Sequence, residues 1–325
     1  DSGSVSVRLD PEQLLSLQAD PAAYGLQLSS MLFTDPVKTA FALVRGEVGA
    51  SEHLRLRLRI RKSANSLHGL RWETMTDPLN EGRTLMTSHS VLFSRFIESG
   101  DFRRTDSRSR DDQRALIVVA NPTDLDSFDL GLAALDVESS VEQAKAALGD
   151  GIKTKVLASN GRATVERIFA DLKEGYDILY IVAHGRLSKS GQPFLVLENE
   201  EGETEQISGA RLLEEFYAMV HRPRLIVLAA CESAGNGELE GDEEALTALG
   251  PLLAQEGIPA VLAMQGQITI ETAGSFMKAF FKALQDQQGI DSAVAVARNR
   301  VRERPDWWRP VLYMRSKSGR MSYYK

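Results

Sequence analysis

From residue 115 onward, short and mostly apolar runs recur between stretches of helical periodicity. That alternation limits the fold more than any other feature of the chain. Residues 115–120, 154–158, 177–183, 224–230, 260–264 and 311–314 read as strands. Between them, 138–148, 164–172, 208–219, 246–255, 269–285 and 291–301 read as helices, several ended by glycine. Strands apolar along their whole length need cover on both faces. The expected architecture is therefore α/β, a mostly parallel sheet flanked by helices on both faces. Residues 194–197 read as an edge hairpin strand. In such sheets chemistry gathers beyond the carboxyl ends of the strands.

The first hundred residues are mixed and form an expected N-terminal accessory α+β region over 1–98. Residues 5–9 look like a short strand, and Asp10-Pro11-Glu12 opens a helix with proline in its first turn. Helix-permissive sequence follows from 22 to 48, broken near Asp35-Pro36. Residues 54–61 alternate Leu or Ile with Arg, the period of a half-buried strand whose basic side chains face solvent. Residues 99–114 are polar and charged and read as a linker, leaving 115–325 as the second domain.

Composition excludes several classes. Residues 1–112 hold 15 acidic and 15 basic side chains, so the whole net charge of −7 falls on the remainder. An acidic second part argues against direct nucleic-acid binding. No run of about 18 apolar residues is present, so no membrane span is expected. The start, Asp1-Ser2-Gly3-Ser4, has neither the basic nor the apolar stretch of a signal peptide. One cysteine in 325 residues forms neither an internal disulfide nor a multi-cysteine zinc site, and it fits a reducing, cytoplasmic setting. His53, His68, His89 and His221 lack metal-ligand spacing, and no glycine-rich phosphate loop occurs, so neither metal nor other cofactor is expected.

That single cysteine, Cys231, follows the apolar run 225–230, and His184-Gly185 follows the run 178–183. Forty-seven residues separate them, enough for one strand–hairpin–helix–strand unit. A thiol needs a base to act as a nucleophile near neutral pH, and an imidazole supplies one. Glycine after the histidine leaves its backbone N–H open to a carbonyl oxygen. With the Cys231 N–H it makes a candidate oxyanion hole.

The segments Tyr180-Ile181-Val182-Ala183-His184-Gly185 and Leu228-Ala229-Ala230-Cys231-Glu232-Ser233-Ala234 closely resemble those of the CHAT family of caspase-like cysteine peptidases, relatives of caspases and separases. Residues 258–265, 293–298 and 307–313 support the resemblance, as does Leu70-Arg71-Trp72-Glu73 upstream. It implies a caspase-like fold and peptide-bond hydrolysis by a Cys231–His184 dyad through a thioester, with Gly185 and Cys231 amides holding the oxyanion. It also implies a protein substrate and an effector role in bacterial defence, switched on by a sensor domain or partner protein. By the same resemblance the pocket for the side chain before the scissile bond is walled by Asp124, Ala229 and Gln265. None of these is arginine, so an acidic side chain is not expected there; Asp124, Asp126 or the acidic loop 238–244 would favour a basic one. The competing reading is a catalytically silent caspase-like module that binds or scaffolds a partner, because fold alone does not fix activity.

Overall fold

The computed structural model describes residues 5–49, 52–80, 82–100, 108–125, 132, 134–229, 242–286, 289–316 and 319–321. The chain opens with α1 (Pro11–Ser16), α2 (Pro21–Leu32) and α3 (Asp35–Glu47). Asp10 and Asp20 cap α1 and α2 through their carboxylates, and proline stands in the first turn of all three helices. Residues 5–9, expected as a strand, are not one: their alternation finds no neighbouring strand to pair with. Then come β1 (Leu54–Arg59) and β2 (Val91–Phe96) with short 3-10 turns between them.

The remaining order is β3 (Arg114–Val119), α4 (Val137–Leu148), β4 (Lys153–Ala158), α5 (Val165–Leu172), β5 (Ile178–Val182), β6 (Gly185–Leu187), β7 (Pro193–Glu198) and β8 (Thr204–Ser208). After these follow α6 (Gly209–Ala218), β9 (Leu225–Ala229), α7 (Asp242–Gln255), β10 (Ala260–Met264), α8 (Ile270–Gln285), α9 (Ile290–Arg300) and β11 (Pro310–Met314). Eight strands form one sheet in the order β1-β2-β11-β10-β9-β5-β3-β4. Every adjacent pair is parallel except β10 with β11. The mostly parallel α/β sheet is thus as the apolar runs require. The 194–197 segment differs from expectation. Its strand β7 is the middle of a separate antiparallel sheet, β6-β7-β8, rather than an edge.

Period-two alternation divides the strands between two cores. Ile178, Tyr180, Val182, Leu225, Val227 and Ala229 face one, packed under Phe276, Phe280 and Phe281 of α8. Leu179, Ile181, Ile226 and Leu228 face the other, under α5, α6, α7 and the small sheet. A third core gathers Leu14, Tyr24, Leu28, Trp72, Met86 and Phe93 of the N-terminal part. Because β2 pairs with β11, that part extends the main sheet. The basic stripe of β1 is engaged within the chain: Arg55 meets Asp291 at 2.7 Å, Arg59 meets Glu98 at 2.9 Å, and Arg57 lies 5.3 Å from the Phe96 ring centre. Among the described residues no helix is long and apolar enough to cross a membrane.

Candidate active site

β5 and β9 are direct neighbours. Their ladder sets Ile178 opposite Leu225 and Val182 opposite Ala229, and the Ala183 N–H donates to the Ala229 carbonyl at 3.3 Å. Val182 stands two residues before His184. Ala229 stands two residues before Cys231, which lies outside the described residues, as do Asp126 and loop residues 238–241. His184 is half-buried, and its carbonyl accepts the Val196 N–H at 2.9 Å. That bond fixes the hydrogen-bonding phase of the small sheet. Gly185 opposes Leu195 in it, and hydrogen-bonded and non-hydrogen-bonded pairs alternate along an antiparallel ladder. The Gly185 pair is therefore of the second kind, and its N–H is turned away from β7.

The other expected site residues lie beyond the ends of adjacent strands on the same edge. Ala229, 5% exposed, closes β9. Gln265 follows β10, and its amide is held at both ends: Oε1 accepts from Arg95 Nη2 at 2.9 Å, and Nε2 donates to the Gly69 carbonyl at 2.8 Å. Asp124 follows β3, and its Oδ1 accepts from both the amide and the hydroxyl of Thr204 at 2.7 Å. Both side chains are built into the loops framing the edge. α7 begins eleven residues after Cys231.

Two polar groups essential to this edge have no strong signal in the sequence. The first is Glu198, 0% exposed at the end of β7. Its two carboxylate oxygens accept the Asn121 and Gly161 amides, each at 2.9 Å. One buried side chain thereby pins the small sheet to the loops after β3 and β4. Gly161 has φ +66, and a Cβ there would collide with the Glu200 carbonyl. Replacing Glu198 with alanine strands two backbone donors, each costing about 1–3 kcal/mol when buried. Chemical unfolding of Glu198→Ala should show a loss of roughly 2–6 kcal/mol; a wild-type midpoint would contradict the clamp.

The second is Arg95, which follows Ser94 near the end of the mostly apolar strand β2. It and Glu73 are both 0% exposed and pair in two places, Nε to Oε1 at 3.1 Å and Nη2 to Oε2 at 2.5 Å. Arg95 also donates to the carbonyls of His68 and Leu70 and to the Tyr313 hydroxyl. Burial works against the Arg95 charge, but the Glu73 carboxylate and the Tyr313 hydroxyl together outweigh it and raise the pKa. With Gln265, this network joins the N-terminal part to the end of β10.

His68 lies within the same network, its ring 5.6 Å from that of Tyr313. Burial first, and then the Arg95 charge, lower its pKa from 6.5 to about 4. Between those values the unfolded chain binds a proton that the folded chain does not, so stability rises with pH across that window. The contribution is fully present above pH 6.5, lost as pH falls toward 4, and worth up to roughly 3 kcal/mol. The gap between unfolding midpoints at pH 7.5 and pH 4.5 should narrow in His68→Phe. A variant whose midpoints run parallel to the wild type's contradicts this assignment.

Comparisons with known proteins bear on the family. Part of the yeast Saccharomyces cerevisiae separase, in its complex with securin, superposes with a TM-score of 0.45 at 16% identity, covering 81% of this chain and 15% of that one. Gingipain R, described as an Arg-specific cysteine proteinase, gives 0.47 at 12% identity over 89% of this chain and 68% of its own. Drosophila initiator caspase Dronc gives 0.32 at 12% identity over 60% and 76%. A search of curated protein sequences finds no match. The sequence profile described as CHAT domain matches residues 22–316, nearly the whole length, and the chain belongs to the CHAT domain family.

Proposed function

We propose that this protein is a cysteine endopeptidase that cleaves a protein partner through Cys231 and His184. The observation that carries the reading is the β5–β9 register. Val182 and Ala229 are opposite one another, and the imidazole and thiol residues follow each by two positions. The sequence thus sets His184 and Cys231 each two residues beyond the ends of neighbouring parallel strands. In the reaction the Cys231 thiolate attacks a peptide carbonyl carbon, and the oxyanion is held by the N–H groups of Gly185 and Cys231. The C–N bond breaks, the leaving amine takes a proton from His184, and water then hydrolyses the thioester with His184 accepting the water's proton. Asp124, Ala229 and Gln265 wall the pocket for the side chain before the cut. Family membership extends the reading to a regulated effector of bacterial defence, released by a sensor domain or partner, with residues 1–98 as an accessory region and 115–325 as the catalytic unit.

The experiment is a survey of new protein N-termini in cells making the wild type or Cys231→Ala. New termini confined to the wild type support the peptidase. The same partner bound by both proteins and cut by neither would instead favour a silent binding module.

A further inference from the structure

β1 ends the eight-stranded sheet and pairs with β2 alone. None of its six residues is buried. The Leu54 N–H donates to the Ser90 carbonyl at 2.8 Å, which fixes the phase of this parallel ladder. Alternate residues of an end strand bond to the neighbour, and those between turn N–H and C=O outward. Leu54, Leu56 and Leu58 therefore face β2, and Arg55, Arg57 and Arg59 present their backbone to the outer edge. A row of outward backbone groups is a template for one more strand.

The side chains decide which strand fits. The arginines share one exposed face at every second residue, about 6.6 Å apart. Arg61, extended at φ −75 and ψ 153, continues the row. Arg57 and Arg59 lie 5.3 and 5.9 Å from the Phe96 ring centre, which holds their guanidinium groups over that face. Positive charge remains to be met. Arg55 uses only Nε on Asp291 and its side chain is 45% exposed, and Arg61 has no carboxylate partner among the described residues. The other face carries Leu54, Leu56, Leu58 and Ile60, only partly buried against the third core. A second copy does not suit this edge. Adding its β1 across a two-fold axis sets arginine opposite arginine, and like charges directly opposite are destabilising.

We infer that the outer edge of β1 receives an extended segment of a partner protein, acidic at every second residue and apolar at those between. It joins the sheet as a further strand. Its carboxylates sit beside Arg55, Arg57, Arg59 and Arg61, and its apolar side chains extend the cover of the leucine face. A polyphosphate chain has no backbone donors for the edge and no aliphatic groups for the leucines. β1 lies four strand steps from β9, about 19 Å, so a strand docked there does not reach Cys231. The surface stands independently of the peptidase reading.

The probe is a capped, fluorescent peptide, Glu-Val-Glu-Thr-Glu-Val-Glu-Thr, titrated into the full chain beside a peptide of equal composition with its glutamates contiguous. The alternating peptide should bind, and the contiguous one should bind at least roughly tenfold more weakly. Arg59→Glu and Arg61→Glu should each weaken binding roughly tenfold. An added strand turns only every second N–H toward β1. Methylating one alternate set of peptide nitrogens should therefore abolish binding, and methylating the other set should spare it. That comparison uses the wild-type protein, so it decides the matter even where a variant folds poorly. No binding at millimolar peptide, or equal loss from both methylated sets, overturns the edge assignment. Displacement by a short oligothymidylate, with neither methylated set impaired, assigns the stripe to a polyanion instead. A chain that sediments as a dimer and becomes monomeric in Arg59→Glu assigns the edge to a second copy instead.

Discussion

Cys231→Ala lowers cleavage of the protein partner by at least ~10³-fold, and His184→Ala does so to a similar degree. The two losses are comparable because nucleophile and base act as one unit; removing either leaves only binding and the oxyanion donors. Combining the substitutions should add little to either alone, the mark of a coupled pair. Neither change should unfold the protein. His184 is half-buried beyond the end of β5, and the strands beneath it are packed from both faces independently of its side chain. Circular dichroism and an unfolding midpoint near that of the wild type separate lost chemistry from lost fold. Full activity in either variant would remove that residue from the mechanism.

Glu73→Gln destabilises the fold by about 3–5 kcal/mol, a large share of the roughly 5–15 kcal/mol that holds a typical domain together. The Arg95 guanidinium has no access to solvent, so loss of its carboxylate partner leaves a charge that water cannot screen. The pair itself contributes modestly beside a well-packed apolar substitute. The double variant Glu73→Leu with Arg95→Met should therefore recover most of the loss. Denaturant titrations of the three proteins distinguish the cases; a single variant as stable as the wild type would show that Arg95 is not held by Glu73. Because Arg95 also holds Gln265, the single variant should loosen the end of β10 as well.

Continuous apolar runs report burial on both faces, and they marked β3, β5, β9 and β10 to within a residue or two. Those strands carry the edge on which His184, Ala229 and Gln265 lie, so the candidate site was legible as a position in the fold from local pattern plus the rule for parallel sheets. Elements that owe their form to a pairing partner rather than to their own apolar pattern were harder to read. β6 has three residues, and β8, Thr204–Ser208, has one apolar side chain; they form strands because β7 pairs with both. Residues 5–9 show the converse, an alternating segment without a partner. The antiparallel setting of β11 and the joining of β2 to it are long-range choices that no local period encodes. Glu73, Arg95 and Glu198 were illegible for a related reason. A charged residue in sequence reads as solvated until its buried partner is known.

The most direct measurement is the pH dependence of Cys231 alkylation by iodoacetamide, in the native wild type, native His184→Ala and the urea-unfolded chain. Since the chain has one cysteine, every alkylation event reports on it. The account predicts that the native wild type reacts with an inflection well below the ordinary thiol value of about 8.5. In His184→Ala that inflection moves back toward the unfolded chain's. Three superimposable profiles would contradict a working pair of sulfur and imidazole.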